Sequence, residues 1–130
     1  LRYGPRVGGA LVAVAGPLSN LLMAALAAIP WRLGYLDGAP KLVLTVIWTF
    51  VALNVALFLF NLIPLAPLDG ISVLSGIVGP ETAARLTPLR TYGPQILLGL
   101  ILIGFVIPQL NILGWTLYPA LNAIVRLLLG

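Results

Sequence analysis

The sequence predicts an all-α protein, a polytopic bundle of three to four transmembrane helices whose second span is broken at Pro64 and Pro67. Hydrophobic residues make up 61% of the chain and charged residues only 8%, whereas a soluble domain carries roughly a quarter charged residues. Residues 7–31, 42–68 and 91–125 contain no charged side chain. Each of these runs exceeds the about 20 helical residues that cross a bilayer core.

The first two uncharged runs each predict one transmembrane span, over about residues 8–31 and 42–63. The third run is too long for one span, and we expect it to hold two shorter spans, at about 94–112 and 114–129. We find no internal repeat and no linker in the sequence. The whole chain, residues 1–130, is therefore interpreted as a single membrane domain.

The segment between the second and third runs, residues 69–93, holds much of the remaining charge. Its pattern predicts two short amphipathic helices at the membrane surface. The second is expected to begin at Pro80, because proline is favoured at the first position of a helix.

The formal net charge of +4 is the balance of seven cations and three acids, and the cations are scattered along the chain. They form no basic stripe, so the sequence does not favour a nucleic-acid partner, and the partner that it does predict is the lipid bilayer. With a cytoplasmic N-terminus, only Arg32 and Lys41 fall outside, in agreement with the positive-inside tendency. The inside group is Arg2, Arg6, Arg85, Arg90 and Arg126. This topology predicts that Asp69 lies toward the cytoplasmic side.

The segment "NLIPLAPLDG", residues 61–70, breaks an apolar run with two prolines and ends with an acid. Unpaired backbone groups are costly in lipid, so a broken helix predicts either a packed neighbour or a polar cavity. Asp69 is then a functional candidate, because ionisable residues at membrane depth are usually functional. The structural alternative is that Asp69 caps a helix beginning near Gly70 and that Asn61 caps carbonyls of the preceding helix.

A second polar segment, "GPLSN" at residues 16–20, lies inside the first predicted span. Gly16 and Ser19 allow another helix to approach closely, and the amide of Asn20 needs a hydrogen-bonding partner at this depth. The alternative interpretation is that the segment serves helix packing alone.

Both segments resemble the site-2 protease family, the intramembrane zinc metalloproteases. "NLIPLAPLDG" is similar to the family signature Asn-x-x-Pro-x-x-Pro-Leu-Asp-Gly, and "AGPLSNLL", residues 15–22, resembles the segment that precedes it in the family. The resemblance extends from about Arg6 to Gly104.

The resemblance implies specific roles for five residues. Asp69 would be the third ligand of a Zn²⁺ ion, and Asn61 would hydrogen-bond near the scissile carbonyl. Asn20 would line the same pocket, while Pro64 and Pro67 would keep backbone available for pairing with an extended substrate. The expected substrates are transmembrane proteins, cleaved in or near the bilayer of a bacterial or archaeal cell membrane.

The sequence departs from the family pattern in one respect, because it contains no histidine. The family's other zinc ligands and its general base come from a His-Glu-x-x-His helix. We therefore expect the chain to be the C-terminal portion of a longer metalloprotease, with that helix in an upstream segment, and to be inactive alone. The alternative is a non-catalytic relative that binds transmembrane partners.

Two further classes fit parts of the pattern. Broken helices bearing an acid and asparagines also occur in small ion or solute transporters, although the second half of this chain has no matching broken helix. A passive scaffold for membrane assembly would require none of the polar residues for function.

Overall fold

The computed structural model of the protein describes residues 5–130. Within this range the chain forms helices joined by turns and contains no strand, which confirms the predicted all-helical fold. The helices are α1 (Pro5–Arg32), α2 (Lys41–Asn61), α3 (Gly70–Ile77), α4 (Pro80–Arg85), α5 (Thr87–Thr91), α6 (Gly93–Val106) and α7 (Ile112–Leu129), with a short 3₁₀ helix at Pro108–Leu110. Arg2, one of the predicted inside cations, lies outside the described residues.

Three of these helices, α1, α2 and α7, are long and apolar enough to cross a membrane. Their outward faces carry large apolar side chains, among them Val12, Leu42 and Leu127, which are 69%, 74% and 72% exposed. Monomeric soluble proteins rarely expose such extended apolar surface, whereas lipid tails solvate it. The chain is therefore a membrane protein.

The main apolar core lies where α1, α2 and α7 meet. Ala24 and Ala28 of α1 are one turn apart and pack in one cluster with Val51 and Val55 of α2. Small residues at such a spacing allow membrane helices to approach closely. Helix α7 adds two buried side chains to the cluster, Val125 and Leu129.

The segment between α2 and α6 contains three short helices rather than the two predicted. Helix α4 begins at Pro80, as expected, but it ends at Arg85, and α5 begins at Thr87 with Pro88 in its first turn. Proline has no backbone donor, so Pro88 cannot continue the hydrogen bonds of α4. The interruption at Leu86 follows from it.

Helix α6 ends at Val106, earlier than the predicted span at about 94–112. Ile107 is extended, with φ −125° and ψ 93°, the geometry that a following proline imposes, and Pro108 follows it. The 14 residues of α6 span about 21 Å, which is less than the about 30 Å of a bilayer core. Asn111 then caps α7, its Oδ1 accepting from the backbone N–H of Gly114 at 3.0 Å.

Candidate active site

The predicted break in the second span is confirmed. Helix α2 ends at Asn61, and residues 62–69 form bends and turns before α3 begins. Leu65 is buried, whereas Pro64 and Pro67 are exposed. The Ala66–Pro67 peptide bond is cis. The chain therefore leaves the helix at the point where the two prolines remove successive backbone donors.

The backbone of this break is folded into local turns and is not strand-like. The amide N–H of Leu65 donates to the carbonyl of Ile63 at 2.8 Å, and that of Leu68 donates to the carbonyl of Leu65 at 2.9 Å. The amide of Ala66 donates to the carbonyl of Leu89 in α5, at 3.4 Å. Pairing with an extended substrate would have to replace these bonds, so the roles of Pro64 and Pro67 stay predictions.

Two glycines allow the chain to close tightly around the break. A Cβ atom at Gly70 would overlap the carbonyl oxygens of Leu62 and Ile63, at the end of α2. A Cβ atom at Gly93 would lie 2.6 Å from the backbone nitrogen of Ala66. The break is thus enclosed by the end of α2 on one side and the start of α6 on the other.

Asp69 directs its carboxylate toward α1. Its Oδ2 atom is 3.5 Å from the position that a Cβ atom at Gly16 would occupy, and the residue is half-buried. Although Asp69 is the residue before α3, its side chain makes no capping hydrogen bond. The structure therefore contradicts the alternative in which Asp69 caps α3.

Asn20 lies on α1 one helical turn after Gly16, the residue that Asp69 approaches. Its Nδ2 donates to the carbonyl of Gly16 at 3.4 Å, and residues four apart share one face of a helix. The structure therefore brings Asn20 and Asp69 to the same face of α1.

Asn61 is turned back along its own helix. Its Nδ2 donates to the carbonyl of Leu57 at 3.0 Å, the same bond to the fourth preceding residue that Asn54 makes within α2. Leu57 lies before the last four carbonyls of the helix, so this bond does not cap the helix end. The second amide N–H of Asn61 and its Oδ1 make no further hydrogen bond within residues 5–130. Asn61 thus retains hydrogen-bonding capacity at the edge of the break.

The residues of this chain do not form a zinc site by themselves. The sequence contains neither histidine nor cysteine, and residues 5–130 contain no group of three acidic or other metal-binding side chains. Glu81 pairs with Arg85 at 3.4 Å on the surface, and Asp37 is exposed in the loop between α1 and α2. Since a zinc ion in such a site needs three protein ligands, Asp69 supplies at most one of them.

Sequence reasoning missed the part that Arg6 plays beside this site, because it assigned Arg6 to topology only. The Nη1 atom of Arg6 donates to the carbonyls of Ser75 and Val78, each at 2.6 Å. These carbonyls belong to the end of α3, the helix that begins directly after Asp69. No motif in the sequence indicates this contact.

The chain is similar to two curated bacterial proteins. It is 38% identical over 128 residues to the Bacillus subtilis protein named "Putative zinc metalloprotease YwhC", an alignment that includes 92% of this chain. It is 34% identical over 109 residues to the Mycobacterium tuberculosis protein named "Putative zinc metalloprotease Rip2", with 81% of this chain aligned. The two matches confirm the predicted resemblance to the site-2 protease family. Neither a family model nor a solved structure matches the sequence.

The alignments also show how much of each relative's length this chain spans. It spans 54% of the length of the first relative and 38% of the length of the second. About half of the first relative, and more of the second, therefore has no counterpart in this sequence.

Proposed function

We propose that this chain is one half of the active site of an intramembrane zinc metalloprotease. In this proposal Asp69 is the one zinc ligand that the chain supplies. The other ligands and the general base come from a His-Glu-x-x-His helix in an upstream segment of a longer protein. Metal-activated hydrolysis of peptide bonds in or beside transmembrane segments is the chemistry that zinc would supply when bound.

The observation that carries the proposal is the direction of the Asp69 carboxylate. A structural cap would place this side chain over the first amides of α3, yet it lies against Gly16 of α1 instead. The carboxylate then has no cationic partner within the described residues, since the one ion pair found there joins Arg85 and Glu81. A half-buried carboxylate without such a partner is well suited to receive a metal ion.

The remaining polar residues have supporting roles in the proposal. Asn20 lies on the same face of α1 as the carboxylate and would contact a bound substrate. Asn61 would donate its second amide N–H to the oxygen of the carbonyl under attack, because preorganised donors stabilise the charge that develops there. Transmembrane proteins are the proposed substrates, and the cytoplasmic side of a bacterial or archaeal cell membrane is the proposed location of Asp69.

Zinc analysis of the full-length protein, purified in detergent, tests this function. We expect about one zinc per chain in the unmodified protein and nearly none in Asp69→Ala, since the site would lose one of three ligands. Asp37→Ala is the matched control, because that aspartate lies at the opposite end of α1, and it should retain the metal.

Two results would contradict the proposal. Stoichiometric zinc that survives Asp69→Ala would remove Asp69 from the ligand set. A full-length protein without zinc would favour the non-catalytic relative that binds transmembrane partners.

A further inference from the structure

Helices α1 and α3 lie antiparallel along a short interface, and three contacts mark its course. Arg6 meets the end of α3 at Ser75 and Val78. A Cβ atom at Gly76 would overlap the Cβ atom of Ala10, which lies one turn further along α1. The contact between Gly16 and Asp69 is the last of the three. We call this set of contacts the α1–α3 interface.

The order of these contacts fixes where Asp69 lies along α1. Arg6 and Gly16 are ten positions apart, which corresponds to about 15 Å along a helix. A bilayer core of about 30 Å measured from Arg32 ends near residue 12. Asp69 therefore lies at a level inside that boundary, while Arg6 lies beyond it, at the end of α1 where a cation is readily solvated.

Helix α3 cannot hold this position by its own stability. It has only eight residues, and isolated helices shorter than about 12 residues are marginal in water. Its placement therefore depends on its neighbours, of which α1 is the main one, with a further bond from Arg90 to Ser72 at 3.3 Å. The last carbonyls of any helix lack partners within that helix, and in α3 the guanidinium of Arg6 supplies them with charge-assisted donors.

We propose that Arg6 is a positioning residue for Asp69. By binding the carbonyl of Ser75 in the last turn of α3 and that of Val78 just after it, Arg6 holds that helix along α1, and the helix in turn holds the carboxylate at its other end against Gly16. The inference rests on the proposed function only in that Asp69 is taken as a zinc ligand. It assigns to Arg6 a role that topology alone would not require.

A cysteine pair reports the position of α3 without any use of activity or zinc. This chain has no cysteine, so with any cysteine elsewhere in the full-length protein replaced by serine, Gly16→Cys with Asp69→Cys introduces a single pair across the α1–α3 interface. A short bis-methanethiosulfonate reagent, added to the full-length protein in membrane vesicles, should link the two thiols. The rate of linking measures the fraction of time for which positions 16 and 69 are close together.

The test adds Arg6→Gln to this pair, with Arg32→Gln as the matched control. Arg32 also lies at an end of α1 and donates through Nη1 to a backbone carbonyl, that of Leu127 in α7. We expect Arg6→Gln to slow linking at least about tenfold, since charge-assisted bonds are lost at both carbonyls, and Arg32→Gln to leave it unchanged. Arg6→Lys, which keeps a cation with several donors, should restore a large part of the rate.

Each other outcome overturns the inference. Equal rates in the unmodified protein and in Arg6→Gln would show that α3 stays in place without the guanidinium. Equal slowing by Arg6→Gln and Arg32→Gln would indicate a general loosening of the bundle, and so would failure of Arg6→Lys to restore the rate. Because linking needs no metal, these results are distinguishable from a failure of the proposed zinc site, which zinc analysis reports separately.

Discussion

The two ends of α1 are packed in different ways. Toward Arg32, side chains of moderate size interlock, and Ala28 and Val51 lie in one apolar cluster with residues of α7. Toward Arg6, the contacts involve glycines and backbone atoms, as where Gly76 meets Ala10 and where Asp69 meets Gly16. The first end is held by side-chain packing, and the second by close contacts at glycines, one of which brings the Asp69 carboxylate against α1.

This difference determines which substitutions each end tolerates. Removing atoms from the Arg32 end leaves a cavity, so the cost falls on stability and scales with the volume lost. Adding atoms at the Arg6 end, where glycines lie directly against neighbouring residues, forces the packed segments apart. The predictions below test this contrast, beginning with the largest expected effect.

Gly70→Ala is expected to be the most disruptive small substitution at the Arg6 end. The added Cβ atom would overlap backbone carbonyls of Leu62 and Ile63, so the free energy of unfolding should fall by about 3 kcal/mol, at the upper end of the overpacking range. Tryptophan fluorescence during denaturation by sodium dodecyl sulfate measures it.

Gly99→Ala is the control for this substitution. Gly99 is also helical, but no atom lies within 4 Å of a Cβ atom placed there. Its replacement by alanine should be neutral or stabilising by up to about 1 kcal/mol. If the two variants unfold alike, the close approach at the break contributes nothing to the fold.

Val51→Ala tests the opposite end. Val51 is completely buried in the apolar cluster, so truncation should lower the free energy of unfolding by about 1–2 kcal/mol through lost packing. The zinc content of the full-length protein should not change, because this cluster does not contact Asp69. Leu53→Ala, at a position that is 59% exposed, is the control and should cost much less. A loss of zinc in Val51→Ala would show that the two ends are not independent.

The fold class could be predicted because it depends on composition and on local residue types. Uncharged runs long enough to cross a bilayer predict transmembrane spans whatever their packing partners are. Pro64 and Pro67 end α2 because they lack the backbone donors that a helix requires. The early end of α6 was equally local, since Pro108 forces Ile107 to be extended. It was missed because apolar character alone does not distinguish a helix from the turn that follows it.

The α1–α3 interface could not be predicted in the same way. Arg6 and Ser75 are 69 positions apart, and no periodicity in the sequence relates them. The motif named Asp69, but an aspartate before a helix is equally typical of a cap and of a ligand. The direction of its side chain, against Gly16, excludes the cap, and the role as a ligand stays a prediction.

The smallest expected effect on stability, and the one that isolates function most sharply, comes from two asparagines of α2. Asn54 and Asn61 each donate Nδ2 to the carbonyl four residues earlier, at 2.9 and 3.0 Å. Replacing either one by alanine removes the same hydrogen bond, which is worth about 1 kcal/mol or less. Asn54 is buried within the bundle, whereas Asn61 borders the break.

Cleavage should separate the two variants where stability does not. We expect Asn61→Ala to slow hydrolysis of a co-expressed, doubly tagged single-span protein by about 100-fold, the effect of losing one donor to a developing oxyanion. The Asn54→Ala variant should cleave the same single-span protein at close to the rate of the unmodified protease, and both variants should retain zinc. Equal cleavage by the two variants would show that Asn61, like Asn54, only hydrogen-bonds within its own helix, and would leave Asp69 as the one functional side chain of the break.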